Sequence, residues 1–166
     1  MGKMQKFEIV KFGPYRFIGK SVYARAGMNC GKGNFCGYLW DNSNWIFEKL
    51  DELRDYATDE FLNASLLTWE KYCDKTRLLG YTVGRFMKAD TPVPDLQHGE
   101  DGLDYFDIPE TFVAKGWFDK ETGNEESLVK NAIKEQGEYK ARSDKFMVET
   151  GTDDVFCYYI ACDKNE

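Results

Sequence analysis

The sequence predicts an α+β fold in which one strand, one helix and two further strands occur twice. Three observations lead there. Apolar residues alternate in several short segments and recur three and four apart in two others, the marks of half-buried strands and amphipathic helices. The order of those segments repeats on either side of a seam rich in proline and glycine, 90–108. The residues also echo: PYRFIGKSV from Pro14 resembles PETFVAKGW from Pro109, and each is followed by a glycine-bearing loop and a helix.

Taken in order, QKFEIVKF (5–12) alternates with Phe7, Ile9 and Lys11 on one face, Gly13-Pro14 breaks it, and YRFIGKSVY (15–23) resumes as a second strand. Glycines at 27, 31, 33 and 37 among Asn, Cys and Lys make the next stretch a long loop. Asn42 or Ser43 caps a helix over 43–57, whose Ile46, Phe47, Leu50, Leu53 and Ala57 fall three and four apart. Segments 65–72 and 77–88, joined by Asp74-Lys75, form a hairpin, and 90–108 is a connector. TFVAKGWF (111–118) is a strand. A helix over 125–136 carries Leu128, Val129, Ala132 and Ile133 on one face, has acids at its start and stops at Gly137. Strands at 146–150 and 155–162, around Gly151-Thr152-Asp153-Asp154, close the chain. Repeat one then spans about 5–90 and repeat two about 105–164, within a single domain over 1–166.

Composition excludes several classes. With 166 residues, 42% of them hydrophobic, the chain can bury a substantial core. Its net charge of −7 supplies no basic surface, so direct nucleic-acid binding is not expected. No apolar run reaches the roughly 18 residues of a membrane helix, and MGKMQKFEIVKF lacks a signal peptide's apolar stretch, so a cytoplasmic protein without a membrane partner is expected. Cys30, Cys36, Cys73, Cys157 and Cys162 include no C-x-x-C pair and read as reduced thiols. His98 is the only histidine and stands in the polar loop QHGEDG, which argues against a multi-histidine metal site and against a histidine-activated nucleophile. No metal or cofactor is expected. The surplus is aromatic, 10 Tyr, 12 Phe and 4 Trp, enough to line a pocket for flat ligands as well as a core.

Two motifs fail on inspection. GMNCGKG (27–33) is one residue short of a phosphate loop and has Gly33 where Ser or Thr belongs. DNSNWIFEKLDE (41–52) has Trp45 at a calcium-ligand position and Ile46 in place of the required glycine. Helix capping accounts for its start.

The segments EIVKFGPYRFIGKSVYA, LLGYTVGRFMK, DIPETFVAKGWF and FMVETGTDDVFCYYIAC together resemble the GyrI-like family, which includes stand-alone proteins and the effector-binding domains of AraC-type and MerR-type multidrug regulators. The resemblance implies two β-α-β-β units related by pseudo-twofold symmetry, with antiparallel sheets facing a central cleft. It implies lipophilic, often cationic aromatic ligands, or, as in some stand-alone relatives, hydrolysis of reactive cyclopropane-bearing natural products. Family members commonly carry a glutamate just after an aromatic residue in the penultimate strand. Here Met147 follows Phe146, and Glu149 stands two residues on, about 7 Å along the strand and on the same face as Met147. The family's Glu and Pro in the last strand are replaced within Cys157, Tyr158, Tyr159, Ile160 and Ala161.

A carboxylate among aromatics in a poorly solvated cleft is costly to keep charged, and a cation stacked on Tyr or Trp offsets that cost. Glu149, Tyr158 or Tyr159, Trp117, and Tyr81 or Trp69 are the residues expected to converge if the two sheets face one another, with Met147 and Phe146 beside them. Only one of Tyr158 and Tyr159 can point inward. Three readings follow. The first is a stand-alone sensor or sequestering domain for a lipophilic small molecule, since no helix-turn-helix precedes the repeats and any signal would pass through a protein partner. The second is a hydrolase with Glu149 as its catalytic base, provided burial raises that carboxyl. The third is a gyrase-inhibitor-like interaction role for the acidic surface.

Overall fold

The computed structural model describes residues 4–25, 39–41, 43–73, 76–94, 102–119, 125–152 and 154–166, without the side chains of 22–25, 69–73 and 76–79. His98, the glycine-rich loop with its GMNCGKG motif, Asn42, the Asp74-Lys75 turn and the side chain of Trp69 lie outside the described residues. The elements are β1 (Met4–Phe12), β2 (Tyr15–Arg25), α1 (Asn44–Asp51), β3 (Ala64–Cys73), β4 (Thr76–Lys88), β5 (Asp104–Ile108), β6 (Thr111–Asp119), α2 (Glu125–Gln136), β7 (Tyr139–Ala141), β8 (Met147–Gly151) and β9 (Val155–Lys164). It is an α+β fold, and every described strand pairing is antiparallel.

The chain divides into two compact units, Pro14–Ile108 and a second made of Met1–Gly13 with Pro109–Glu166. β1 therefore leaves the first half of the sequence to pair with β6, while β2 pairs with β4 and β5. Gly13, at φ 91°, makes the bend between β1 and β2. The repeats expected over 5–90 and 105–164 differ from these units by these two exchanged edge strands.

In the Pro14–Ile108 unit the strand order is β5-β2-β4-β3. Phe17, Ile18, Leu66, Val83, Phe86 and Met87 are buried, and α1 adds Ile46 and Leu50. The helix expected over 43–57 ends at Asp51 and gives way to a 3-10 turn at Arg54–Tyr56. The reason is a competing partner: Ala57 forms a bridge with Met87, and Thr58 Oγ1 donates to the Phe86 carbonyl at 3.0 Å, which an extended helix would forbid. Ser43 precedes the helix, but its hydroxyl donates to the Trp40 carbonyl instead of capping an amide. Arg85 ties the helix end to the sheet, reaching Asp51 at 2.5 Å and Asn63 at 2.8 Å over the rings of Phe47 and Phe61. That bond to Arg85 is the main reason the Asp51 carboxyl lies below its ordinary range. The expected connector contains β5, a strand the alternation missed because Asp104 is buried there; its carboxylate accepts the Ser21 amide at 3.2 Å.

In the other unit the order is β1-β6-β9-β8, with β7 on the last residues of β9. From Cys157 to Cys162 every residue of β9 is buried, as a central strand with both faces covered must be. α2 runs as its periodicity predicts, buries Val129 and Ile133, and ends at Gly137, whose φ of 77° favours glycine. At Gly116 a Cβ would lie 2.7 Å from Val129 Cγ2, so β6 needs a glycine for α2 to dock at this distance.

Candidate functional site

Directly opposed residues of an antiparallel ladder share a face, and side chains alternate along each strand. β9 sets Tyr158 opposite both Gly116 and Glu149, and Tyr159 opposite both Lys115 and Val148. Met147, Glu149 and Tyr158 therefore share one face. Val148, Tyr159 and Trp117 share the other, together with Phe146, whose carbonyl accepts the Ala161 amide at 3.2 Å. Because the Gly116 position abuts Val129, the first of these faces is the one α2 covers. The expected convergence of Glu149 with Tyr159, Trp117 and Phe146 does not occur within this sheet. The physical reason is register: the hairpin places Glu149 opposite Tyr158, and strand alternation sends its neighbours' rings to the opposite side.

On the helix-covered face, burial pushes the Glu149 carboxyl from 4.5 up to about 7, and the nearby carboxylates of Glu125 and Glu126 in the first turn of α2 add to the shift. The side chain keeps partial access to solvent. Beside it, the Tyr158 hydroxyl donates to Met147 Sδ at 3.2 Å. A group titrating near neutrality can exchange a proton with a bound molecule or hold a cation when ionised. Among the described residues no group of three His, Cys, Asp or Glu side chains is placed to hold a metal ion.

The opposite face is aromatic. The Phe12 ring lies 6.2 Å from Tyr159, edge-on, and 6.2 Å from Phe146. All three are almost completely buried, at 2%, 3% and 5% exposure. The Lys115 ammonium stands 4.7 Å from the Tyr159 ring centre and 5.7 Å from that of Phe12. On the same face the Lys6 ammonium stands 4.7 Å from the Trp117 ring. Lys115 and Phe12 belong to this cluster and were not singled out by sequence reasoning. The signal was present, since Val113, Lys115 and Trp117 alternate in TFVAKGWF and so put a lysine on the aromatic side of β6.

Tyr81 lies on β4 in the other unit, 6% exposed, and its hydroxyl accepts the Trp40 indole N–H at 2.7 Å. Trp69 is on β3 of that unit. A groove of about 480 Å³ does exist in the Met1–Gly13 and Pro109–Glu166 unit, lined by Lys11, Phe112, Lys145, Cys162, Asp163 and Lys164 among others. It includes none of the expected site residues. Burial pushes the Cys162 thiol up to about 11, which removes thiolate chemistry there at neutral pH.

No family model matches the chain, and no curated protein does. Among solved structures it is similar to an integron cassette protein, VCH_CASS2, from the mobile metagenome of Vibrio cholerae. The TM-score is 0.52 at 13% identity, over 98% of this chain and 99% of that one. The likeness is one of fold. Among the described residues no helix is long and apolar enough to cross a membrane.

Proposed function

We propose that this chain is a GyrI-like binding protein for lipophilic small molecules, cationic aromatic ones among them, and that the aromatic face of the unit containing β6, β8 and β9 takes the ligand. The observation that carries the reading is the cluster of Phe12, Phe146 and Tyr159 with an ammonium already seated on two of its rings. Rings so arranged combine an apolar lining with a quadrupole that favours positive charge. The wider reading, a duplicated β-α-β-β protein used as a sensor or sequestering domain, is supported by strand order. β2-β4-β3 with α1 between β2 and β3 matches β6-β9-β8 with α2 between β6 and β8.

The test is a tryptophan-fluorescence titration with hydrophobic aromatic cations, their neutral analogues and aromatic anions. Saturable micromolar binding of the lipophilic compounds, weakened by Tyr159→Leu, is the expected result. Absence of saturable binding across the whole panel overturns the proposal.

One observation favours a second reading, hydrolysis. A general base near neutrality needs a carboxyl raised by burial, and Glu149 meets that condition at about 7. Turnover of a reactive electrophile that is lost in Glu149→Gln, with binding retained, would establish it.

A further inference from the structure

Lys115 is an odd residue to find against buried rings. An ammonium gives up strong hydration on approaching an apolar surface, and a flexible four-carbon stem loses rotamer freedom when held there. Its head nevertheless stands within the roughly 6 Å range of cation–π attraction from two ring centres at once, those of Tyr159 and Phe12. These rings are supplied by two different strands, β9 and β1, and the lysine comes from β6 between them. Three strands thus build a small cage, and the cage is filled by the protein's own side chain.

Exposure adds a second argument. Phe12 and Tyr159 are 2% and 3% exposed, whereas Lys115 is half-buried, so among these three residues the lysine reaches solvent most. Trp117, on the same face, likewise carries a lysine ammonium, that of Lys6. Lys6 also stands 3.9 Å from the Glu8 carboxylate, and Glu8 is the direct neighbour of Lys115 across the β1–β6 ladder.

We propose that the Phe12–Tyr159 ring pair is the subsite for the cationic head of the ligand, and that Lys115 is its internal occupant, displaced when a ligand brings an alkylammonium of its own. This deepens the proposed function and rests on it. Lys115 then acts as a specificity-determining residue. It weakens binding of every ammonium ligand by competition, and it sets a threshold that only ligands with enough apolar surface to offset the displacement can pass. The stem swings toward solvent, its ammonium regains water, and no covalent bond is made or broken.

The experiment uses benzyltrimethylammonium, its neutral isostere neopentylbenzene, and phenylacetate as probes, titrated by calorimetry into the full chain, into Lys115→Ala and into Lys115→Ala with Tyr159→Leu. Vacating the cage should tighten benzyltrimethylammonium binding at least tenfold and neopentylbenzene less than threefold, and adding Tyr159→Leu should abolish the difference. Equal gains for both probes would mean an ordinary apolar cavity and overturn the proposal, as would no gain for either. Tighter binding of phenylacetate to the wild type, lost in Lys115→Ala, would make Lys115 an anion anchor and also overturn it. Where Lys115→Ala fails to fold by near-ultraviolet circular dichroism, Lys115→Gln replaces it. That variant keeps an unbranched polar side chain one atom shorter and removes the charge, and should give about a threefold gain confined to the cation. Should neither the wild type nor the variants bind any lipophilic probe, the proposed function itself fails. Binding without cation preference in the vacated cage fails only this inference.

Discussion

Seven residues past Pro14 stands Ser21, and seven past Pro109 stands Gly116. Register extends each into a row across its own unit, Ser21 to Thr82 to Leu66 and Gly116 to Tyr158 to Glu149. The first row is chemically closed: the two hydroxyls bond at 2.7 Å, and Leu66 is fully buried. In the second row a glycine clears Val129, a tyrosine donates to Met147, and Glu149 occupies the place that corresponds to Leu66. An aliphatic side chain suits that place in one unit, while in the other a carboxyl is held near 7 by burial and by two neighbouring acids. A buried carboxyl where the other unit has a leucine costs stability once it ionises. That contrast is what the hydrolytic reading would draw on.

Four substitutions can break or sharpen the contrast. The largest effect is expected from Leu66→Glu, which puts the carboxyl of the second row into the sealed first row and should cost about 4 kcal/mol or prevent folding, measured by urea denaturation. Tolerance of that change would show that the rows are equally permissive. Next comes Glu149→Gln. Between pH 4.5 and 7 the unfolded glutamate is ionised while the folded one keeps its proton, so the wild type loses stability as pH rises across that window and is level above it. The amide variant should lack this decline and be about 2 kcal/mol more stable than the wild type at pH 8, with little difference at pH 4. Parallel pH profiles for the two proteins would remove the argument for Glu149.

Gly116→Ala should cost about 1–2 kcal/mol, because its methyl would crowd Val129 Cγ2 and push α2 off the sheet. A companion Val129→Ala should recover part of the loss. The smallest effect belongs to Thr82→Val, about 1 kcal/mol, from leaving the Ser21 hydroxyl without its partner. Adding Ser21→Ala should bring stability back toward the wild type, and a double-mutant cycle with no coupling would show that the hydroxyl pair contributes nothing.

The sequence was legible where periodicity and punctuation agreed. TFVAKGWF could only be a half-buried strand, and Leu128, Val129, Ala132 and Ile133 before Gly137 marked α2 to within a residue. It misled where tertiary partners decided. Leu53 and Ala57 continue the spacing of α1, yet Ala57 pairs with Met87. Asp104 interrupts the pattern of β5 because its carboxylate serves the Ser21 amide. The candidate site was half legible. Alternation put Met147 and Glu149 on one face, but which tyrosine joined them depended on the pairing across the β8–β9 turn. Register places Glu149 with Tyr158 and frees Tyr159 for Phe12 and Lys115. Lys115 was passed over because a lysine in a strand reads as a solvated side chain until the rings beneath it are known.

The exchange of β1 has a consequence for synthesis. Its residues wait for partners near position 111–118, with Met4 opposite Phe118 and Phe12 opposite Thr111. The Pro14–Ile108 unit is continuous in sequence and lies wholly between β1 and its partner strand. On the ribosome that nested unit has all its strands once residue 108 has emerged, whereas β1 stays without its ladder until β6 follows. Closing so long a loop is slow when its interior is unfolded and far easier once that interior has condensed. This arrangement favours condensation of the Pro14–Ile108 unit before β1 meets β6.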